Sequence, residues 1–434
     1  MTRRWTHKMV AACAASAIML TASTAWGQWG EGIRGGSLLL HPGVSLSAGF
    51  DSNIYYESGS SAGRLHQSPE GGLEPSLSVQ TVDPGGFDFS GEASVLWTQY
   101  FTDEDHVRNQ SGLSSSLDAQ ATINGDGAAS LQMSNQFVRS NETPSGPSTQ
   151  TLNRTFNRSG AMVGLHPGGR ILEMFGSYDF SLYRHNIHPD LDRDTHHFGG
   201  TVNWSFLPQT ALVAEVDYRM IRYDLPFRGA HRGVSPDGQL ANVDSDPLRL
   251  MGGVKGMVTP RISVGLQGGY GWARYDDGPT YDGPLAKVEL SYQFGNVDFD
   301  NRLRAGYELG FNDSSLGNFY SSHRALAGYE QGFMDNRLRL ELNVTGDIRE
   351  YSRLEVTSAS TDTSDLEFPE EPSDLLLGAT AATRFDIRSG WSVGARYSFR
   401  SNFTDDEIVV EGLGEDVVRD YERHHVLFTT TLEY

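Results

Sequence analysis

Charged side chains recur at every second position over long stretches of this chain. In residues 297–312, Arg302, Arg304 and Glu308 share one phase, whereas apolar residues from Leu303 to Phe311 occupy the other. Successive side chains of a β-strand point to opposite faces, so this spacing predicts a strand with one polar and one apolar face. Arginine pairs bidentately with carboxylates and stacks on ring faces. The polar face could therefore contact a hydrophilic solute.

The same spacing recurs through the strands predicted up to residue 402. We expect one polar surface to carry Arg302, Arg304, Arg324, Arg337, Arg339, Arg349, Arg384, Arg396 and Arg400, interleaved with Asp298, Asp300, Glu308, Glu330, Glu341, Asp347 and Asp386. If the strands close into a barrel, opposed basic and acidic walls would create an electric field across its narrow lumen, which suits the passage of polar, hydroxylated chains. The alternative is a set of mutually satisfied ion pairs that stiffen a water-filled wall, and both roles can hold for the same residues.

Three other segments contain groups that can bind metal ions. Carboxylates cluster within residues 362–374 and 405–416, and oxygen ligands suit Ca²⁺ or Mg²⁺. Four histidines lie within residues 185–197, in a segment that reads as a polar loop. No EF-hand spacing accompanies the carboxylates, so a solvated acidic surface and ordinary loop histidines are the simpler interpretations. We predict no metal site and no cofactor.

Catalysis and nucleic-acid binding are both disfavoured. The sequence has no H-E-x-x-H and no phosphate-binding loop. The formal net charge is −21, and lysine occurs only at Lys8, Lys255 and Lys287. Neutralising phosphates requires clustered basic residues, so nucleic acid is excluded as a partner. We predict that the protein is not an enzyme.

The elements that must position the charged residues are strands. Period-two alternation recurs about eighteen times, and no segment of comparable length shows a 3.6-residue period. The predicted strands cover residues 42–56, 72–82, 86–101, 110–123, 128–139, 152–166, 170–185, 195–207, 210–224, 246–259, 261–275, 283–294, 297–312, 319–333, 336–351, 373–386, 390–402 and 419–434.

Short and long connections are predicted to alternate strictly along the chain. Short ones such as Asp83-Pro-Gly-Gly86 are typical of hairpins, and long polar ones such as 353–372 separate them. Transmembrane barrels have short periplasmic turns and longer extracellular loops. Closing the sheet into a barrel also leaves no strand edge unpaired. The sequence therefore predicts an all-β, antiparallel, up-and-down transmembrane β-barrel of about 18 strands.

The N-terminal residues indicate export from the cytoplasm. A basic start, an apolar run and the small residues before Ala25 predict a signal peptide at residues 1–25. Cys13 offers only a weak alternative match to a lipoprotein site. A short periplasmic lead at 26–40 then precedes a barrel at 41–434. Because only about fifteen residues separate the cleavage site from the first strand, we predict no plug domain.

The C-terminal strand ends on an aromatic residue. Val426, Phe428, Leu432 and the terminal Tyr434 share one face of this strand. Such an ending is similar to the signal by which outer-membrane barrels are recognised for assembly. The barrel-assembly machinery is therefore a predicted partner.

The opening strand resembles that of a known family. In residues 41–56, Pro42, Asp51, Asn53 and Ile54 match the segment that begins barrels of the "putative beta-barrel porin 2" type. The resemblance implies an outer-membrane channel. We therefore expect a barrel in the outer membrane of a Gram-negative bacterium, with periplasmic termini and with lipid and lipopolysaccharide as neighbours.

The resemblance says less about which molecule passes through the channel. Some members of the group belong to systems that export exopolysaccharide or capsule, so our main expectation is a polysaccharide-export conduit with periplasmic export components as partners. A general diffusion porin for small hydrophilic solutes is the alternative. A third alternative is a structural barrel whose loops bind at the surface.

Overall fold

The structure is a computed structural model. It describes residues 30–56, 65–82, 85–140, 154–167, 171–185, 192–224, 243–276, 278–295, 301–314, 318–352, 373–404, 408–409, 416–417 and 420–434. The predicted signal peptide lies outside the described residues. Among the described residues, no helix has the length and apolarity needed to span a membrane.

Strands account for most of the described chain. They are β1 (Ile33–Gly35), β2 (Leu38–Asp51), β3 (Ser68–Thr81), β4 (Phe87–Tyr100), β5 (Gly112–Ile123), β6 (Ala129–Ser140), β7 (Arg154–Leu165), β8 (Leu172–His185), β9 (Arg193–Leu207), β10 (Thr210–Tyr223), β11 (Ser245–Thr259), β12 (Ile262–Tyr275), β13 (Tyr281–Gln293), β14 (Arg302–Asp313), β15 (Phe319–Phe333), β16 (Leu338–Tyr351), β17 (Ser373–Arg388), β18 (Trp391–Thr404), β19 (Ile408–Val409), β20 (Asp416–Val417) and β21 (Tyr421–Glu433). One short helix, α1 (Asp105–Arg108), follows β4.

Eighteen of these strands form a closed ring. Each strand from β2 to β17 pairs antiparallel with the next, β18 pairs with β21, and β21 pairs back onto β2 from Gly43↔Glu433 to Asp51↔His425. This confirms the predicted antiparallel barrel and its strand number. The barrel begins at Leu38, slightly before the predicted residue 41, and β1 folds back on residues 38–40 as a short hairpin.

One face of the ring is apolar and exposed. On β16, Leu342, Val344 and Ile348 are 39%, 55% and 48% exposed, and polar residues alternate with them. A water-soluble protein rarely exposes a continuous apolar surface of this kind. The barrel strands contain 12 to 16 residues. At about 3.3 Å per residue, tilted strands of this length cross the ~25 Å apolar band of an outer membrane. We refer to this face as the outer face.

The polar face is the concave one. Arg249 on β11 donates to the carbonyl oxygen of Phe311 on β14 over 2.6 Å, and Tyr275 on β12 donates to Asp313 over 2.7 Å. These contacts skip intervening strands of the sheet, which requires the side chains to meet inside the ring. We refer to this face as the inner face.

Three tyrosine–histidine pairs share one geometry on the outer face. In each pair, a tyrosine hydroxyl near the middle of a strand contacts the Nδ1 atom of a histidine placed diagonally on the next strand. The pairs are Tyr178–His196 (2.9 Å), Tyr307–His323 (2.8 Å) and Tyr397–His424 (2.8 Å). Aromatic rings with a polar tip are typical of the boundary between lipid and water.

The connections divide the barrel into a short-turn end and a long-loop end, but the predicted strict alternation of lengths is wrong. Residues 276–280 and 314–318 connect strands at the long-loop end, yet they are no longer than the turn at 294–301. Beside them, the ladder between β13 and β14 stops at Ala286↔Leu309, whereas β14 stays paired with β15 to Asp313. The end of β14 is therefore released from β13 and turns inward.

Two residues of the opening segment singled out in the sequence, Asp51 and Asn53, help to close the ring. Asp51 and Asn53 are fully buried at the end of β2. The Nε atom of Arg423 on β21 donates to both Asp51 oxygens, over 2.9 and 3.0 Å. Asn53 donates its backbone N–H to Asp51 and its side-chain amide to the carbonyl of Glu422 (3.0 Å). The two residues therefore tie the first barrel strand to the last, and we refer to these contacts as the seam.

Candidate functional site

The inner face of β3, β4 and β5 is acidic. These strands contain no lysine or arginine. On β4, Val95 and Trp97 lie on the exposed outer face, so Glu92 points inward, directly opposite Asp118 on β5. Counting nine strands round the ring from β5 leads to β14, the first of the five strands that carry the predicted lining arginines. Part of the lumen therefore lies between an acidic and a basic wall.

Most of the predicted lining residues share the inner face of β14 to β18. Strand register aligns Arg302 with Glu330, Glu308 with Arg324, Glu330 with Glu341, Arg339 with Arg384, Arg396 with Ala382 and Arg400 with Arg423. Arg349 lies on the same face, because it pairs with Ser322 and Asp374.

Many of these arginines already have acidic partners. Arg304 pairs with Glu330, and Asp347 accepts hydrogen bonds from Arg324 (3.2 Å) and Arg349 (3.0 Å). Arg384 donates to Asp386 over 3.0 Å, and Arg339 lies 3.8 Å from the same carboxylate. Arg400 donates to the hydroxyl of Tyr56. The ion-pair interpretation thus holds for several predicted lining residues.

The pairs are arranged so that the cations face the solvent. The side chains of Arg324 and Arg339 are 42% and 61% exposed, whereas their partners Asp347 and Asp386 are 7% and 28% exposed. The same order holds for Arg304 over Glu330. A solute passing this wall therefore meets guanidinium groups before it meets carboxylates.

A cavity of about 800 Å³ lies on the inner face near the short-turn end. Its lining includes Lys255 and Lys287, the only lysines in the sequence besides Lys8. Arg261, Arg302 and Arg304 add three more cations, against the carboxylates of Glu289 and Glu308. The cavity therefore carries an excess of positive charge.

A second charged network lies on the inner face of β7 to β11, and the sequence analysis did not find it. Arg158 contacts Asp179 (2.8 Å), His197 lies between Asp179 (3.0 Å) and Asp217 (2.7 Å), and Asp217 contacts Arg249 (3.1 Å). The chain of contacts crosses five neighbouring strands. Its members alternate with outer-face residues in the same way as those of β14 to β18, so the period-two pattern could have located them.

This network ends on an aromatic cluster inside the long-loop end of the barrel. The sequence places Phe311 in the apolar phase of its strand, but the structure corrects this prediction: Phe311 is 1% exposed and packs inside the ring. Its ring stacks on Tyr281 (centroids 3.9 Å apart), and the guanidinium of Arg249 lies 4.3 Å from its centroid. The cause is the inward turn at the end of β14. This turn directs the side chain of Phe311, which strict alternation would place on the outer face, against β11, β12 and β13.

Other predicted residues lie elsewhere. Arg337 is in the turn before β16, where it donates to the carbonyl of Ile387 (2.8 Å) and lies over the ring of Phe385, so it sits at the rim. Asp298 and Asp300 lie outside the described residues, as do most of the acidic residues in 362–374 and 405–416. Asp374 belongs to β17 and accepts a hydrogen bond from Tyr351 (2.9 Å).

The predicted histidine-rich loop is wrong for the described histidines. His185 ends β8, and His196 and His197 lie within β9. His196 contacts Tyr178 on the outer face, whereas His197 contacts Asp179 and Asp217 on the inner face. Neighbouring residues of a strand cannot direct both side chains to one metal ion.

The C-terminal residues of the predicted assembly signal line up along the outer face of the seam. Val426 pairs with Phe50 and Tyr397, Phe428 with Ala48 and Ala395, and Leu432 with Val44 and Trp391. Tyr434 follows β21 and donates its backbone N–H to the carbonyl of Pro42 (3.0 Å). Recognition of these residues by an assembly factor stays a prediction.

A closed eighteen-stranded barrel with an apolar outer face and a charged inner face defines a porin-like channel of the outer membrane. The family model for "putative beta-barrel porin 2" matches residues 30–294. The chain belongs to this family, as the residues of the opening strand indicated. No curated protein matches the sequence.

Solved porins show a distant likeness over nearly the whole barrel. Acinetobacter baumannii OccAB4 and Pseudomonas aeruginosa OpdQ each give a TM-score of 0.44 at 11% identity, with 91% of this chain and 98% of theirs covered. A BenF-like porin from Pseudomonas fluorescens Pf-5 gives 0.45 at 10% identity, with 91% and 99% covered.

Proposed function

We propose that the protein is a passive diffusion channel for small hydrophilic solutes and that it favours anions. The observation that carries the proposal is the cavity on the inner face near the short-turn end, whose lining includes two lysines and three arginines but only two glutamates. Charges that line a confined aqueous path raise the local concentration of solutes of opposite sign.

The ion pairs of β14 to β18 support the same preference. Their arginines are more exposed than their acidic partners. A solute in the lumen therefore comes closer to the positive charge of each pair than to the negative charge. The exposed guanidinium groups are suited to carboxylate or phosphate groups, which they bind bidentately. The acidic wall of β3 to β5 adds a field across the lumen, which orients a dipolar solute.

Membership of a porin family supports a channel role, and the charged cavity supports diffusion of small solutes rather than export of a polysaccharide. Export of polysaccharide stays a prediction from the family resemblance, and so do its periplasmic partners. A channel role also leaves no need for catalysis. By analogy with other barrels of the outer membrane, we place the short-turn end and both termini in the periplasm.

The test of this function is ion flow through single barrels in planar lipid bilayers. We expect the barrels to conduct ions without any stimulus. Under a KCl gradient, the sign of the reversal potential should show that chloride permeates more readily than potassium. Closed barrels, or a reversal potential of the opposite sign, would contradict the proposal.

Removing inner-face cations is expected to weaken this selectivity. In the variant Lys287→Gln/Arg302→Gln, the ratio of chloride to potassium permeability should fall by a factor of about two or more, because two charges leave the path. The matched control is Arg139→Gln/Arg274→Gln, which removes two cations from the outer face. Equal ratios in both variants would show that these inner-face cations do not set selectivity.

A further inference from the structure

Three side chains with metal-binding atoms converge at the long-loop end, away from the lumen charges. His66 precedes β3, Glu104 is the residue before α1, and His106 lies in α1. The Nδ1 atom of His66 is 2.6 Å from Glu104 Oε2 and 3.1 Å from His106 Nε2, and His106 Nε2 is 3.5 Å from Glu104 Oε2. All three ligand atoms lie within 4.8 Å of one another.

We propose that His66, Glu104 and His106 bind one divalent transition-metal cation of the Zn²⁺ type. Two imidazoles and a carboxylate suit zinc, nickel or copper, whereas calcium and magnesium prefer oxygen ligands alone. Ligands at about 2.1 Å from a tetrahedral ion are separated by about 3.4 Å, so small shifts of these side chains are sufficient to close the site. A water molecule completes the coordination.

A buried platform holds the three ligands in place. Val107 of α1 is fully buried against Ile54 and Tyr55, which are each 2% exposed. The ring of Tyr55 contacts both imidazoles, edge-on to His66 (centroids 5.5 Å apart) and stacked with His106 (5.9 Å). Ligands that need little rearrangement lose little conformational entropy on binding.

Hydrogen bonds also join the platform to the segments that lead into β3 and β5. The backbone N–H of Ile54 donates to the carbonyl of His66 over 2.9 Å, and Gln110 donates to the hydroxyl of Tyr55 over 3.0 Å. The side chains of His66, Glu104 and His106 are 23%, 40% and 54% exposed, so an ion can reach them from solvent. A bound ion would cross-link the segment leading into β3 to the helix that follows β4.

The proposal is tested with the full barrel in detergent after treatment with a chelator. Titration with Zn²⁺ by calorimetry is expected to give one site, and Co²⁺ is expected to show the visible absorption of a four-coordinate ion. His66→Ala and His106→Ala should each weaken binding at least about tenfold, and Glu104→Gln should weaken it less. The matched control is His424→Ala, because among the described residues His424 contacts one carboxylate, that of Glu422 at 2.8 Å, on the outer face.

Two results would overturn the proposal. One is the absence of saturable Zn²⁺ binding to the wild-type barrel. The other is a Zn²⁺ affinity that is unchanged in His66→Ala/His106→Ala, which would leave the three residues as a hydrogen-bonded cluster only. Migration of unheated samples on denaturing gels shows that each variant is folded. The Glu104→Gln variant keeps the proposal testable if a histidine variant does not fold, because unchanged affinity and an unchanged Co²⁺ spectrum would also contradict it.

Discussion

The variant Arg423→Ala is expected to lose about 3–5 kcal/mol of unfolding free energy, because it leaves a buried carboxylate without its cation. Asp51 is 0% exposed, and it accepts hydrogen bonds from Arg423 and from the backbone N–H of Asn53. Arg423 also lies over the ring of Tyr56, 4.6 Å from its centroid. Chemical denaturation of the barrel reconstituted in lipid vesicles measures the loss.

A double variant separates two contributions to this loss, the unpaired carboxylate of Asp51 and the lost contact between Arg423 and the ring of Tyr56. If the cost comes from the unpaired carboxylate, Asp51→Asn/Arg423→Ala should be more stable than Arg423→Ala alone. The matched control is Arg339→Ala, which removes a 61% exposed arginine 3.8 Å from Asp386 and should cost less than about 1 kcal/mol. Equal losses in Arg423→Ala and Arg339→Ala would show that the seam does not depend on this ion pair.

The second large effect is expected from Phe311→Ala at the long-loop end. Phe311 is 1% exposed and packs against Tyr281, Leu285 and Ala273. Removing a buried phenylalanine ring costs about 3–5 kcal/mol, because the cavity left behind is only partly refilled. Without this contact, the end of β14 has less to hold it inside the ring, so we also expect single-channel conductance to rise.

The control for this prediction is Phe403→Ala on β18. Phe403 is 51% exposed on the outer face, so its removal should leave conductance unchanged. Conductance traces from Phe311→Ala and Phe403→Ala under the same salt provide the comparison. If Phe311→Ala conducts like the wild type, the aromatic cluster does not limit the passage of ions.

The barrel could be predicted from sequence because every strand is half-exposed to each of two environments. Residues 338–351 show this most clearly, since their leucines and valine alternate with arginine, glutamate and asparagine. Loop lengths were less informative. The length of a connection does not determine at which end of the barrel it lies. Residues 276–280 and 314–318 are short connections at the long-loop end.

The site was predicted only where alternation alone determines it. The faces of Arg302, Arg304 and Arg324 follow from the strand phase. The position of Phe311 does not, because it depends on where the ladder between β13 and β14 ends. Likewise, His66 and His106 are distant in sequence, and the packing of α1 against Ile54 and Tyr55 brings them together. Contacts made by loops depend on tertiary packing that a periodic pattern does not encode.

The most direct test of a passive channel is osmotic swelling of vesicles that contain the wild-type barrel. We expect vesicles placed in an isosmotic monosaccharide to swell faster than vesicles without protein, at a rate that decreases as the sugar lengthens to a trisaccharide. A water-filled barrel of eighteen strands requires no partner for this passage. Swelling no faster than in protein-free vesicles would contradict the proposed diffusion channel and would favour a conduit that is closed until a partner engages it.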